Sequence, residues 1–155
     1  MESSPAMRNP QSEILLPVDL TNLARRTIEV GTLKNGDQAM KYLLLIYDRE
    51  QNWMKLNEAE QGAIYGEYAK FSQDIKDRGN YISGAQLHPV GSATSVRVRN
   101  NEQLVTDGPF AETHEQLGGF FLIEAKDLDE ATTIAARIPS ARQGTIEVRP
   151  LVERN

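Results

Sequence analysis

The apolar residues of this chain fall into short runs that predict strands and longer periodic stretches that predict helices. Tyr42–Tyr47 and Gly119–Ala125 are apolar at nearly every position, which is typical of central strands covered on both faces. Tyr81–Leu87 and the alternating run Thr145–Arg149 predict two further strands. We therefore expect these runs to form one sheet.

Two stretches between these strands have the spacing of amphipathic helices. The first is predicted to begin at Asn57, which forms a capping-box sequence with Glu60, and its apolar stripe consists of Ile64, Tyr68, Phe71 and Ile75. The second is predicted to begin after Asp127 and to end before Pro139, with a buried side made of Ala131, Ile134, Ala135 and Ile138. Each stripe is suited to packing on a sheet.

A polar stretch in the middle of the chain predicts an inserted β-hairpin. Thr94–Arg99 alternates valines with arginines, which places them on opposite faces, and Gln103–Thr106 is the return strand. Asn100-Asn101 between the strands suits a tight turn, because asparagine tolerates a positive φ.

The tetrapeptide Asp107-Gly108-Pro109-Phe110 follows the hairpin. Gly108 precedes a proline, so we expect extended backbone at that glycine, and Pro109 cannot donate to a sheet ladder. The chain must therefore turn here, with the acidic side chain of Asp107 at the corner.

The predicted order is β-α-β, an inserted hairpin and β-α-β, which is the ferredoxin-like split βαβ arrangement of an α+β fold. Both helices then cover one face of an antiparallel sheet and leave the other uncovered. With Tyr42, Leu44, Phe120 or their neighbours on the uncovered face, that surface would be a large apolar patch. Two copies that pair these faces would remove the patch, so we expect a homodimer.

Residues 1–39 differ from the rest of the chain. They contain Pro5, Pro10 and Pro17 and show no sustained hydrophobic period, apart from a short predicted helix near Asn22–Ile28. We interpret 1–39 as an N-terminal extension, either a flexible arm or a strap between copies, that the fold does not need, and 40–155 as a single domain.

Composition and charge narrow the classes of function. A net charge of -5 argues against a nucleic-acid partner, and the absence of cysteine excludes disulfides and thiolate chemistry. The longest apolar run, Leu43–Ile46, is far below the roughly 20 residues of a membrane helix, and the acidic Glu2 argues against a secretory leader. We expect a cytoplasmic protein without a membrane partner.

Three segments together closely resemble the DGPF branch of the YCII-related family: Asp107–Phe110, Gln116–Ala125 and Ile146–Leu151. The resemblance extends from about Met40 to Leu151, and it implies a dimeric α+β barrel that begins at a methionine of this kind. It also implies a cavity between the two sheets that takes a small molecule.

Asp107 is the leading candidate for chemistry. In one interpretation its carboxylate makes an Asx-turn by accepting a backbone N–H two residues on. In the other it is a general base or a ligand anchor at the mouth of the barrel cavity.

Other candidate residues would complete such a site. A tyrosine such as Tyr68, or His88, would act as the acid, and Arg97 or Arg99 would hold a carboxylate. The remaining candidates for ligand binding are Phe110, as a roof over the cavity, and His114 in a polar loop. We predict neither a metal site nor a cofactor, since His88, His114, Asp107 and Glu112 lack the spacing of a ligand set.

The family resemblance also carries an expectation about mechanism. Active YCII relatives resemble cofactor-free lyases with a histidine in the first helix and an aspartate near the Gly-Pro turn. Asp107, Gly108 and Pro109 match the turn, whereas the predicted helix Asn57–Arg78 contains no histidine. Glu67, Tyr65 or Tyr68 would have to replace it.

The sequence leaves two classes of function open, and with them the question of whether the protein is an enzyme. The first is acid–base chemistry of the lyase or isomerase kind on a small, anionic molecule in the cavity. The second is a non-catalytic regulatory or accessory protein associated with an extracytoplasmic-function sigma factor, as the resemblance to DGPF proteins implies.

Overall fold

The structure, a computed structural model, describes residues 38–109, 111 and 113–153. Its main sheet has four antiparallel strands in the order β2-β5-β1-β6, and these are β1 (Met40–Asp48), β2 (Tyr81–Gln86), β5 (Gln116–Ala125) and β6 (Thr145–Pro150). A separate two-stranded hairpin consists of β3 (Thr94–Arg99) and β4 (Glu102–Asp107). The predicted extension 1–39, including the helix near Asn22–Ile28, lies outside the described residues except for 38 and 39.

Three α-helices accompany the strands in the described part of the chain: α1 (Glu50–Met54), α2 (Glu58–Asp77) and α3 (Leu128–Ala135). Short 3-10 turns lie at Val90–Ser92 and Pro139–Arg142. The strand order places β5 between β1 and β2, as a split βαβ unit requires. The prediction of an α+β, ferredoxin-like fold with an inserted hairpin is confirmed. No helix among the described residues is long and apolar enough to span a membrane.

Local side-chain chemistry sets where the two longer helices begin. The Asn57 side chain accepts the Glu60 N–H at 3.0 Å, and the Glu60 carboxylate accepts the Asn57 N–H at 2.8 Å. This capping box is the predicted one, and it satisfies two backbone donors that a helix start would leave unpaired. Asp127 caps α3 in a similar way by accepting the Glu130 N–H at 2.8 Å.

The core lies between one face of the sheet and the two longer helices. Alternate strand residues point to this side, so Tyr42, Leu44 and Ile46 of β1 pack with Phe71 and Ile75 of α2. The rest of the buried cluster comes from β5, α3 and the segment after it: Phe121, Ile123, Ala125, Ala131, Ile134, Ala135 and Ile138. Ile138 is buried as predicted but lies beyond the end of α3.

The opposite face of the sheet, hereafter the uncovered face, consists chiefly of Leu43, Leu45, Phe120 and Leu122. Leu45 lies opposite Phe120 and Leu43 opposite Leu122 in the β1–β5 register, and all four side chains are half-buried. Neither α2 nor α3 packs on this face, because their buried residues belong to the core on the other side.

Two of the three residues named for the uncovered face, Tyr42 and Leu44, do not lie there, whereas the alternative that the prediction left open, their neighbours, is correct. Both belong to the core, at 3% and 0% exposure, and their neighbours Leu43 and Leu45 take the other side. A strand that is apolar at every position has no alternation to show which set faces the helices. Only Phe120 was placed on the correct face.

Candidate functional site

The β3–β4 hairpin is regular and is closed by the predicted tight turn. Its register runs from Thr94 opposite Asp107 to Arg99 opposite Glu102. Asn100 and Asn101 both have positive φ, 51° and 63°, as a type I′ turn requires. This turn follows the right-handed twist of the flanking strands.

The two faces of the hairpin differ in chemistry. Val96, Val98 and Val105 lie on one side, the valine face, and their side chains are 58%, 59% and 57% exposed. Arg97 and Arg99 lie on the other side, as predicted from their alternation with the valines. Two strands alone are marginally stable in water, so an exposed apolar side on such a hairpin points to an interaction surface.

The base of the hairpin is clamped by Gly108. Its N–H donates to the Ala93 carbonyl at 2.7 Å, and its own carbonyl accepts from the Ser95 hydroxyl at 2.8 Å. The backbone at Gly108 has φ +97°, so the expectation of ordinary extended geometry is wrong. The following proline disfavours the right-handed α region, but it does not exclude a positive φ at glycine, which has no Cβ.

Replacement of Gly108 by alanine is expected to lower the free energy of unfolding by roughly 1–2 kcal/mol, because a Cβ is unfavourable at positive φ. No described atom lies within 4 Å of the position that the new Cβ would take, so the cost comes from the backbone alone. Urea unfolding followed by circular dichroism measures the change. Gly91→Ala is a matched control, since Gly91 also has open space around it, and we expect less than about 0.5 kcal/mol there.

Asp107 is the last residue of β4 and its side chain is exposed. The predicted Asx-turn cannot form, because the residue two positions on is Pro109, which has no N–H. Gly108 rather than Asp107 therefore holds the corner. The Asp107 carboxylate has no hydrogen-bond or ion-pair partner within the described residues, which leaves it available to a ligand.

A carboxylate that the sequence analysis missed anchors the hairpin to the sheet. The Glu50 side chain accepts the Val90 N–H at 2.7 Å, and the Glu50 N–H donates to Gln116 Oε1 at 3.2 Å. Glu50 thus connects α1, the segment that enters the hairpin and the start of β5. No local sequence signal indicates this role, because the three residues are far apart in the chain.

The remaining predicted residues lie on different elements of the fold. His88 follows β2 and His114 lies in the segment before β5, and both are exposed. The side chains of Arg97 and Arg99 project from the face of the hairpin opposite to that of Asp107. Phe110 lies outside the described residues.

Tyr68 lies on the helix side of the sheet, away from the uncovered face. Its hydroxyl donates to the Ser140 hydroxyl at 2.8 Å, and its ring packs against the core. Burial raises the pKa of the Tyr68 phenol above its ordinary value, and the hydrogen bond with Ser140 opposes that shift. The structure therefore does not bring Tyr68 together with Asp107.

A polar cluster that the sequence did not indicate surrounds Tyr68. Arg142 and Glu67 form an ion pair there, and the Gln143 side chain donates to the Asp48 carboxylate at 3.1 Å. These contacts attach the 3-10 turn after α3 to α2 and to the end of β1. Among the described residues, which leave out Glu112, no three histidine, aspartate or glutamate side chains gather as metal ligands would.

Comparison with known proteins identifies the family of this chain. A model of the YCII-related domain matches residues 40–155. The chain belongs to the YCII-related family. It is also 35% identical, over 114 residues, to an uncharacterized protein of Rhizobium meliloti (strain 1021), a match that covers 72% of this chain and 92% of that protein. The matched region of this YCII-related chain begins at Met40, the first residue of β1. The predicted resemblance to the YCII-related family is confirmed, and the assignment to its DGPF branch stays a prediction.

Proposed function

We propose that this YCII-related protein forms a homodimer through the uncovered face and binds a small molecule in a cavity between the two sheets. The observation that carries the proposal is the position of the helices. Both longer helices pack on one side of the sheet, and Leu43, Leu45, Phe120 and Leu122 form an apolar surface on the other.

The energy for this pairing comes from removing the uncovered face from water. Apolar surface contributes about 25 cal/mol per Å² when it is buried, and a C2 pair buries the same patch on both copies. An aromatic ring and three leucines in the centre of the sheet are of the kind that dominates such interfaces. Two curved sheets leave a cavity wherever their side chains do not meet, which is where a small molecule would bind.

The chemistry that we propose is proton transfer without a cofactor. Asp107 is the last residue of the hairpin strand β4, and His88 lies in the segment that leads from β2 to the hairpin; they supply a carboxylate and an imidazole. An exposed carboxylate can act as a base, and an imidazole can either donate or accept a proton. Arg97 and Arg99 point away from the Asp107 side, so we leave them out of the proposed pocket.

The substitution Asp107→Asn tests this proposal. Thermal unfolding in the presence of small mono- and dicarboxylates identifies a molecule that raises the Tm, and calorimetric titration then gives its Kd. We expect Asp107→Asn to change the free energy of unfolding by less than about 1 kcal/mol and to weaken that binding at least tenfold, which is about 1.4 kcal/mol.

Glu102→Gln is the matched control, because Glu102 lies on the same strand but on the opposite face of the hairpin. We expect it to leave both the stability and the Kd unchanged. If the Asp107 variant binds as tightly as the parent, Asp107 has no part in the site. If no probe raises the Tm, the non-catalytic alternative, an accessory to an extracytoplasmic-function sigma factor, becomes the better account.

A further inference from the structure

The valine face of the hairpin is a second apolar surface without a described cover. Val96, Val98 and Val105 are each more than half exposed, although the hairpin itself is fully paired and closed by a favourable turn. Because strand pairing already orders the backbone of the hairpin, docking would cost little further ordering entropy. A preformed apolar ribbon of this kind is suited to packing on another protein surface.

The uncovered face alone is small for a stable dimer. Its four strands have 9, 6, 10 and 6 residues; at about 3.3 Å per residue and about 4.8 Å between strands they present ~500 Å². A stable interface takes ~800 Å² from each partner, so the sheet supplies only roughly 60% of that area. The area of a two-stranded hairpin, roughly 10 Å by 20 Å by the same dimensions, is a substantial part of what is missing.

We infer that the valine face packs on a second copy of this chain and completes the interface that the uncovered faces begin. This inference rests on the proposed homodimer. In a C2 pair the hairpin of each copy packs on the other copy. A single interface then buries the uncovered face and the valine face of both copies. Two observations therefore point to a second copy as the partner of the valine face. The chain has two apolar surfaces without a described cover, and a stable dimer needs more area than the uncovered face provides.

The proposed packing of the hairpin also determines where the Asp107 side chain would lie in the dimer. Thr94 lies opposite Asp107 and Val96 opposite Val105, and alternate residues of a strand share a face. The Asp107 side chain therefore projects on the same side as the valines. Packing of the valine face on a second copy brings this carboxylate to the subunit interface, so each copy contributes Asp107 to the cavity of its partner.

Single-cysteine labelling of the full-length chain tests the inference. Because the chain has no native cysteine, only the introduced thiol can react with the label. Val98→Cys places a thiol on the valine face. Arg99→Cys, its matched control, places one on the next residue, which is exposed on the opposite face. We expect a maleimide to react with the Val98 variant at least tenfold more slowly than with the control, and we expect dilution to the monomer to remove this difference.

A second pair, Val105→Cys with Leu104→Cys as control, repeats the test on β4, where the two parent side chains are 57% and 48% exposed. Light scattering of the same samples separates the possible failures. Equal labelling rates in a dimer overturn the hairpin contact and leave the homodimer standing. Equal rates in a protein that stays monomeric overturn both. Protection that persists on dilution shows that the same chain covers the valine face, and it also overturns the inference.

Discussion

Replacement of Leu44 by alanine is expected to lower the free energy of unfolding by about 3–5 kcal/mol. Leu44 is central in β1, it is 0% exposed and it contacts the core formed by both longer helices. The loss combines the transfer energy of the removed methyl groups with the cavity that close-packed neighbours cannot fill. Urea unfolding at a fixed protein concentration, followed by circular dichroism, measures it.

Leu128→Ala is the matched control for this substitution. The chemical change is the same, but Leu128 is the first residue of α3 and is 53% exposed, so we expect less than about 1 kcal/mol. A loss below about 1 kcal/mol at Leu44 as well would mean that β1 does not bury this side chain. The assignment of the two faces of the sheet would then be wrong.

Leu45→Glu is expected to have the largest effect on assembly. Leu45 is the neighbour of Leu44 on the uncovered face and lies opposite Phe120, so a dimer would bury two unpaired carboxylates at its centre. An unpaired buried charge costs several kcal/mol, and we expect the dimer Kd to rise at least 100-fold, or about 2.7 kcal/mol. Sedimentation velocity over a range of protein concentrations measures the change.

The fold should survive Leu45→Glu, because the core lies on the other face of β1. A circular dichroism spectrum like that of the parent would confirm this. Leu128→Glu introduces the same charge on the helix side and should leave the dimer intact. If both glutamate variants dimerise like the parent protein, the uncovered face is not the interface.

The parts of the fold that were predicted from sequence are those set by local chemistry. The capping box at Asn57 and Glu60 needs only residues three apart, and the Asn100-Asn101 turn depends on the φ preference of two adjacent residues. The order of strands and helices follows from the change between strand and helix periods along the chain.

What could not be predicted depends on three-dimensional context. Successive residues of a strand point to opposite faces of the sheet, and β1 is apolar on both faces. Its sequence therefore does not show that Leu44 rather than Leu45 faces the helices. The helix α1 is five residues long and too short to show a period. The positive φ of Gly108 occurs together with hydrogen bonds to Ala93 and Ser95 across the hairpin base, residues that are more than ten positions away in the chain.

The candidate site was predicted only in part for the same reason. The unusual tetrapeptide drew attention to Asp107, and the structure places it at the hairpin base with an available carboxylate. The side chains of Asp107 and the two arginines, Arg97 and Arg99, project from opposite faces of the hairpin. The sequence did not show this, because the predicted return strand ended at Thr106, one residue before Asp107. The contact between Tyr68 and Ser140 joins residues 72 positions apart, beyond the reach of any local pattern.

The central claim is that two copies pair through the uncovered face, and the solution mass of the full-length protein tests it most directly. Light scattering coupled to size-exclusion chromatography, across the micromolar range, should give twice the 17.3 kDa mass of one chain. A mass of 17.3 kDa at every concentration would contradict the account.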